Sequence, residues 1–283
     1  MIIEGHVTRC RGLHAAMLYS QTILKSIITH NDLIRTFVTS DIKGKYLGSF
    51  VGFWGAVINP LLLLVSYCFV FSGILKIKFG ISESTAGFAV YLFCGLIPWM
   101  GFSETVQRSA TVMLDQRTLI KRVPLPKEIL PFYITVSTFI SQLIALIVFI
   151  IILFFLGTHL GSVALLLPLI FPFQILFTFG FALGTASLQI FYKDIGVFLG
   201  SLLQIWFFCT PVFYPESLIP KRFLGFMELN PFFHLVHIYR KVLLQDSLPE
   251  SSSVAYFVVA SFVVFLIGCG IFKKFKNKIV DYL

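Results

Sequence analysis

Residues 46–75 read YLGSFVGFWGAVINPLLLLVSYCFVFSGIL, thirty consecutive positions without a charged side chain. At ~1.5 Å per residue a helix of that length extends about 45 Å, whereas a bilayer core takes ~20 apolar residues. A soluble domain has no use for so long a helix that is apolar on every side, so this stretch is expected to cross a membrane with length to spare. Asn59 and Pro60 lie within it and should kink it, because proline removes a helical donor and its ring crowds the preceding turn.

Immediately upstream, Asn31–Lys45 is charged and amphipathic. Leu33, Ile34, Phe37, Val38 and Ile42 form one helical stripe, with Arg35, Thr39, Ser40 and Lys43 opposite and Asn31 or Asp32 placed to N-cap. Such a helix lies along a membrane surface, either as an anchor or as a docking face for a cytoplasmic partner. From Met17 to Ile28 apolar residues also recur at helical spacing.

Downstream, further windows lack charge: Ser84–Ser103, Ile129–Tyr192, Ile195–Pro215 and Ser251–Phe272. The 64 residues of the second exceed one span and suit two, broken at 157–162, where Gly157 and Gly161 flank a polar loop. Six membrane helices result: an all-α, polytopic membrane protein in which 1–45 is a cytoplasmic segment and 46–283 the membrane domain. Between the fifth and sixth helices, Glu216–Glu250 contains LNPFFHLVHIYRKVLL (229–244), in which Asn230 caps and Pro231 takes the first helical position. Too short to span, this helix is re-entrant or interfacial.

Composition agrees: 57% hydrophobic and 12% charged, with a mean hydropathy of +0.91, against about 25% charged in a soluble domain. With both termini on one side, that side carries sixteen of the 22 Lys and Arg residues, which places both termini in the cytoplasm. The +9 net charge thus follows membrane orientation and implies no nucleic-acid partner. Cys10, Cys68, Cys94, Cys209 and Cys269 form no C-x-x-C pair and read as small core residues. No clean apolar stretch with a small-residue cleavage site opens the chain, so no cleaved signal peptide is expected.

Catalytic patterns are missing. The chain has no G-x-x-x-x-G-K-[ST], no G-x-S-x-G and no H-E-x-x-H, and no charge lies within a span core. Ion-coupled carriers bind their driving ion near the midplane, so an ion-driven mechanism is disfavoured and energy is expected from outside the chain. A membrane-embedded transferase acting on lipid-linked sugar would need an acid or histidine at the membrane edge, where Glu104 and His234 are the candidates. His234 and His237 at i, i+3 lack a third metal ligand, so no metal site is expected. Glu104 and Arg108, spaced i, i+4 at the inner end of the second span, form a local ion pair or an inner gate. The basic loop 108–131 contains a short amphipathic piece ended by Pro124 and Pro126, and Asp194 is placed to cap the fifth span. Aromatic residues make up 16% of the chain. Trp54, Trp99, Tyr214 and Tyr239 fit an interfacial belt. Alternatively some aromatics face a conduit, where flat rings hold the C–H faces of sugars; Phe50, Trp54, Trp206 and Tyr214 are the candidates.

The strings DIKGKYLGSFVGFWGAVINPLLLLVSYCFVF (41–71), GLIPWMGFSETVQRSA (95–110), LIKRVPLPKEILP (119–131), YKDIGVFLGSLLQIWFFCTPVFYPESLIP (192–220) and LNPFFHLVHIYRKVLL (229–244) resemble the permease subunits of polysaccharide ABC exporters, the ABC-2 type permeases of O-antigen, capsule and teichoic-acid export. The resemblance covers roughly 31–283, in the family's order. Gly55 departs from a bulkier pattern after Trp54, and the first thirty residues match nothing recognisable.

The resemblance implies a homodimer of six-helix subunits around a central channel in the bacterial inner membrane. Two separate ATP-binding-cassette subunits would carry ATP and Mg, leaving no cofactor on this chain. The cargo would be a polymer on polyprenyl pyrophosphate, O-antigen ahead of capsule or teichoic acid. By the same resemblance, Asp32, Arg35, Asp41 and Lys43 of the amphipathic helix, with Arg117, Lys121 and Arg122 of the basic loop, would couple to the ATPase. Asn230, Pro231 and Tyr239 would belong to outer gate helices.

Overall fold

The computed structural model describes residues 19–46, 62, 65, 66, 69, 85–156, 161–192, 194–276 and 278–282. The expected first span, with its Asn59-Pro60 kink and with Phe50 and Trp54, lies outside the described residues apart from these isolated positions. Among the described residues all regular structure is helical.

Helical turns over 19–29 run on into α1, Asn31–Tyr46. The His30 N–H donates to the Ser26 carbonyl and the Ile34 N–H to the His30 carbonyl, so His30 joins the two segments and neither Asn31 nor Asp32 stands at an N-cap as expected. Ile23, Ile34 and Val38 are buried in one cluster, and that shared apolar contact keeps the two segments in line. Asp32 in the first turn and Lys43 and Lys45 in the last complement the helix dipole.

Among the described residues, four helices are long and apolar enough to cross a bilayer: Ala89–Asp115, Ile129–Phe155, Ser162–Phe191 and Ser251–Lys276. The first belongs to α2, Thr85–Asp115, which runs twelve residues past its uncharged window because Glu104 and Arg108 find ion-pair partners. A short helix α3, Arg117–Arg122, follows and stops at Val123, ahead of Pro124 and Pro126. Next come α4, Ile129–Phe155, a 3-10 turn over Ser162–Leu166, and α5, Leu167–Phe191.

The expected fifth span, Ile195–Pro215, forms a helix over only its first two-thirds. This is α6, Ile195–Phe208, whose 14 residues span ~21 Å, less than a bilayer core. Pro211 cannot continue it. Asp194 occupies its N-cap position but makes no side-chain cap bond, because its backbone is already helical (φ −83°, ψ −7°). That expectation fails on local geometry. Two shorter helices, α7, Lys221–Glu228, and α8, Pro231–Leu244, precede α9, Ser251–Lys276, and a final turn α10, Ile279–Tyr282.

Two hydrophobic clusters stack through the bundle. One gathers α2, α4, α5, α6 and α8 around Phe102, Phe177, Phe232 and Tyr239; the other joins α1, the N-terminal half of α4, α5 and α9. Helices α5 and α9 approach at backbone distance. A Cβ added to Gly268 would stand 2.1 Å from the Gly180 carbonyl oxygen, so only glycine fits there.

Candidate functional site

The apolar stripe of α1 packs on protein. Phe37 stacks on Tyr133 of α4 at 5.2 Å between ring centroids, and Ile34 and Val38 are buried. This leaves Asp32, Arg35 and Lys43 exposed on the opposite face. Ile120 anchors α3 in the same cluster, so Arg117, Lys121 and Arg122 stand exposed on the same end of the bundle.

Asp41 is turned the other way. Its carboxylate pairs with Arg108 of α2 and accepts a hydrogen bond from the Ser137 hydroxyl of α4. Lys45 donates to Glu104 at 2.6 Å and lies 3.9 Å from Asp41, while Arg108 reaches Glu104 at 3.4 Å. Burial pushes the Asp41 carboxyl up, but bonds from Arg108 and Ser137 and the charges of Arg108 and Lys45 outweigh it and hold the pKa below the usual carboxylate range. The i, i+4 pair Glu104–Arg108 is therefore half of a four-charge junction between α1 and α2. Sequence spacing could show that half, but the partners lie 59 and 67 residues away.

At the other end, Asn230 caps α8: its Oδ1 accepts from the Phe232 N–H at 3.0 Å and from Trp206 Nε1 at 2.9 Å, and its Nδ2 donates to Thr210 at 2.8 Å. Pro231 follows at the first helical position. Tyr239, expected in an interfacial belt, is fully buried, and Trp99 is 6% exposed. Trp99 sits among Phe102, Trp206, Phe207 and Phe232, because burying these rings against one another at the α8 N-terminus removes more apolar surface than an interface would. Tyr214 is tethered to the Phe208 carbonyl at the end of α6.

Arg240 is 3% exposed. It donates to the Pro211 and Val212 carbonyls, each at 2.6 Å, and lies 3.7 Å over the Tyr91 ring. His237 Nδ1 lies 2.9 Å from Glu216, and His234 Nε2 lies 2.8 Å from the Glu228 carbonyl. Glu104 and His234, the two transferase candidates, thus belong to separate structural networks.

Between α2 and α6 runs an open cleft of about 260 Å³, lined by Trp99, Ser103 and Gln107 on one wall and Gly200, Gln204 and Phe207 on the other. Gln107 adjoins Arg108 of the charge junction, and Trp99 packs on Phe232 of α8. Neither Trp206 nor Tyr214 lines the cleft.

Residues 32–244 match the model of the ABC-2 type transporter family. The chain belongs to the ABC-2 type transporter family. Similarity to individual ABC-2 proteins runs almost end to end. An O-antigen export system permease protein RfbA of Myxococcus xanthus is 24% identical over 92% of this chain and 98% of its own length. One from Klebsiella pneumoniae is 27% identical over 89% and 95%. The polysialic acid transport protein KpsM of Escherichia coli is 20% identical over 82% and 89%. The ABC-2 match begins within α1 and ends at the last residue of α8, enclosing both the charge junction and the helices α7 and α8.

Proposed function

We propose that this ABC-2 protein is the membrane-spanning permease subunit of an ATP-driven polysaccharide exporter. The family match over 32–244, with near full-length similarity to O-antigen permeases, carries the reading. It acts as a homodimer of subunits with six membrane-embedded segments, the fifth a short helix, in the bacterial inner membrane, with both termini cytoplasmic. Two separate ATP-binding-cassette subunits dock on the exposed faces of α1 and α3. The cargo is a polymer on polyprenyl pyrophosphate. O-antigen is favoured because the O-antigen relatives are more similar over more of the chain; the polysialic acid relative keeps capsule-type export as the second reading.

The α2–α6 cleft suits one wall of the conduit. The exposed amides of Gln107 and Gln204 offer hydrogen bonds to sugar hydroxyls. Proteoliposomes containing this chain and its ATPase should move lipid-linked glycan only with hydrolysable ATP. Uphill movement by the purified permease alone would overturn the reading.

A further inference from the structure

Polar side chains on membrane helices are costly unless partnered, and here they line up as a seam along α2 and α4. Its inner end is the Asp41–Arg108–Ser137 contact. One position along α4, the Thr138 hydroxyl meets that of Thr105 on α2, and Thr105 also donates to the Gly101 carbonyl. Next, Gln142 lies against Gly101, where an added Cβ would stand 2.2 Å from the amide oxygen. Gln142 then belongs to a closed ring: its Nε2 donates to the Tyr239 hydroxyl at 3.1 Å, Tyr239 donates to Gln174 Oε1 at 2.7 Å, and Gln174 Nε2 returns to Gln142 Oε1 at 2.9 Å. All three residues are buried.

Every ring member donates one hydrogen bond and accepts one within the ring, so the loss of any member leaves two buried groups unpaired. The ring ties α8 to α4 and α5. Only five residues of α4, ~7.5 Å of helix, separate Ser137 on the α1 contact from Gln142 on the α8 contact. A cavity of about 10 Å³ beside the seam has room for about one water, which suits a packed mechanical link and not a conduit.

We propose that Gln142, Gln174 and Tyr239 are positioning residues that couple the outer helix α8, through α4, to displacements of the docking helix α1. The proposal rests on the exporter reading above. In proteoliposomes holding the permease and its ATPase, glycan moved per ATP hydrolysed is measured for Gln142→Leu, Gln174→Leu, Tyr239→Phe and the triple variant. Each single change should lower that ratio about fivefold or more while ATPase binding and ATP turnover persist. The triple variant should lose little more than any single one, because one gap already opens the ring. Unchanged ratios in the single variants overturn the proposal, as do losses that simply add and track thermal stability. A wild-type complex that hydrolyses ATP without moving glycan overturns the exporter reading instead.

Discussion

Asp41 of the amphipathic helix and Arg108 of the first described span form an ion pair whose acid is also held by Ser137 of α4. One carboxylate thus fastens α1 to two membrane helices. Its side chain is 16% exposed, so solvent screens the pair only in part. Asp41→Asn should loosen α1 by about 1–3 kcal/mol, read as faster hydrogen exchange across 31–46. Because the folded pKa lies below the ordinary value, this stabilisation is complete above the unfolded value near ~4 and is lost only as pH falls through the lower folded value. Exchange in α1 should therefore be flat from neutral pH down to about pH 5, after correction for the intrinsic exchange rate. Loosening that sets in above that pH would rule this carboxylate out as the fastening.

Gly200 and Gly268 should respond oppositely to leucine. Nothing lies within 4 Å of a Cβ at Gly200, and leucine favours a helix by up to ~1 kcal/mol over glycine. Gly200→Leu should fold normally, fill the cleft and cut export. Gly268→Leu drives a side chain into the Gly180 carbonyl and should lower thermal stability in detergent by about 3 kcal/mol. Normal export by Gly200→Leu would remove the cleft from the glycan path.

Charge reversal at the exposed Arg117, Lys121 or Arg122 should weaken capture of the ATPase by about fivefold each at low salt, with the difference shrinking as salt rises. Binding unaffected by all three reversals would place the docking surface elsewhere.

Arg240→Lys keeps the charge but loses the planar fork that serves two carbonyls and stacks on Tyr91. A loss of about 2 kcal/mol is expected, seen as a lower unfolding temperature and greater protease access to residues 209–220. Equal stability would show that a point charge suffices.

Much of the helical framework was legible in sequence because burial in lipid writes itself as long uncharged windows. The α4 start at Ile129, the break before α5 and the Asn230-Pro231 cap follow from local rules. The expected fifth span misled, since apolar character alone does not mark where Pro211 ends a helix. Gln142 and Gln174 left only a faint signal, two of three glutamines within 64 uncharged residues.

By itself, the sequence determined that this chain is a helical membrane protein with no energy-coupling motif of its own, because hydropathy and motif spacing act over short range. Tertiary structure alone decided that Asp41 turns inward while Asp32, Arg35 and Lys43 stay exposed, that Arg240 is buried on carbonyls, and that Tyr239 closes a ring with two glutamines. Those partners lie between 28 and 97 residues apart, and only packing brings them within hydrogen-bond reach.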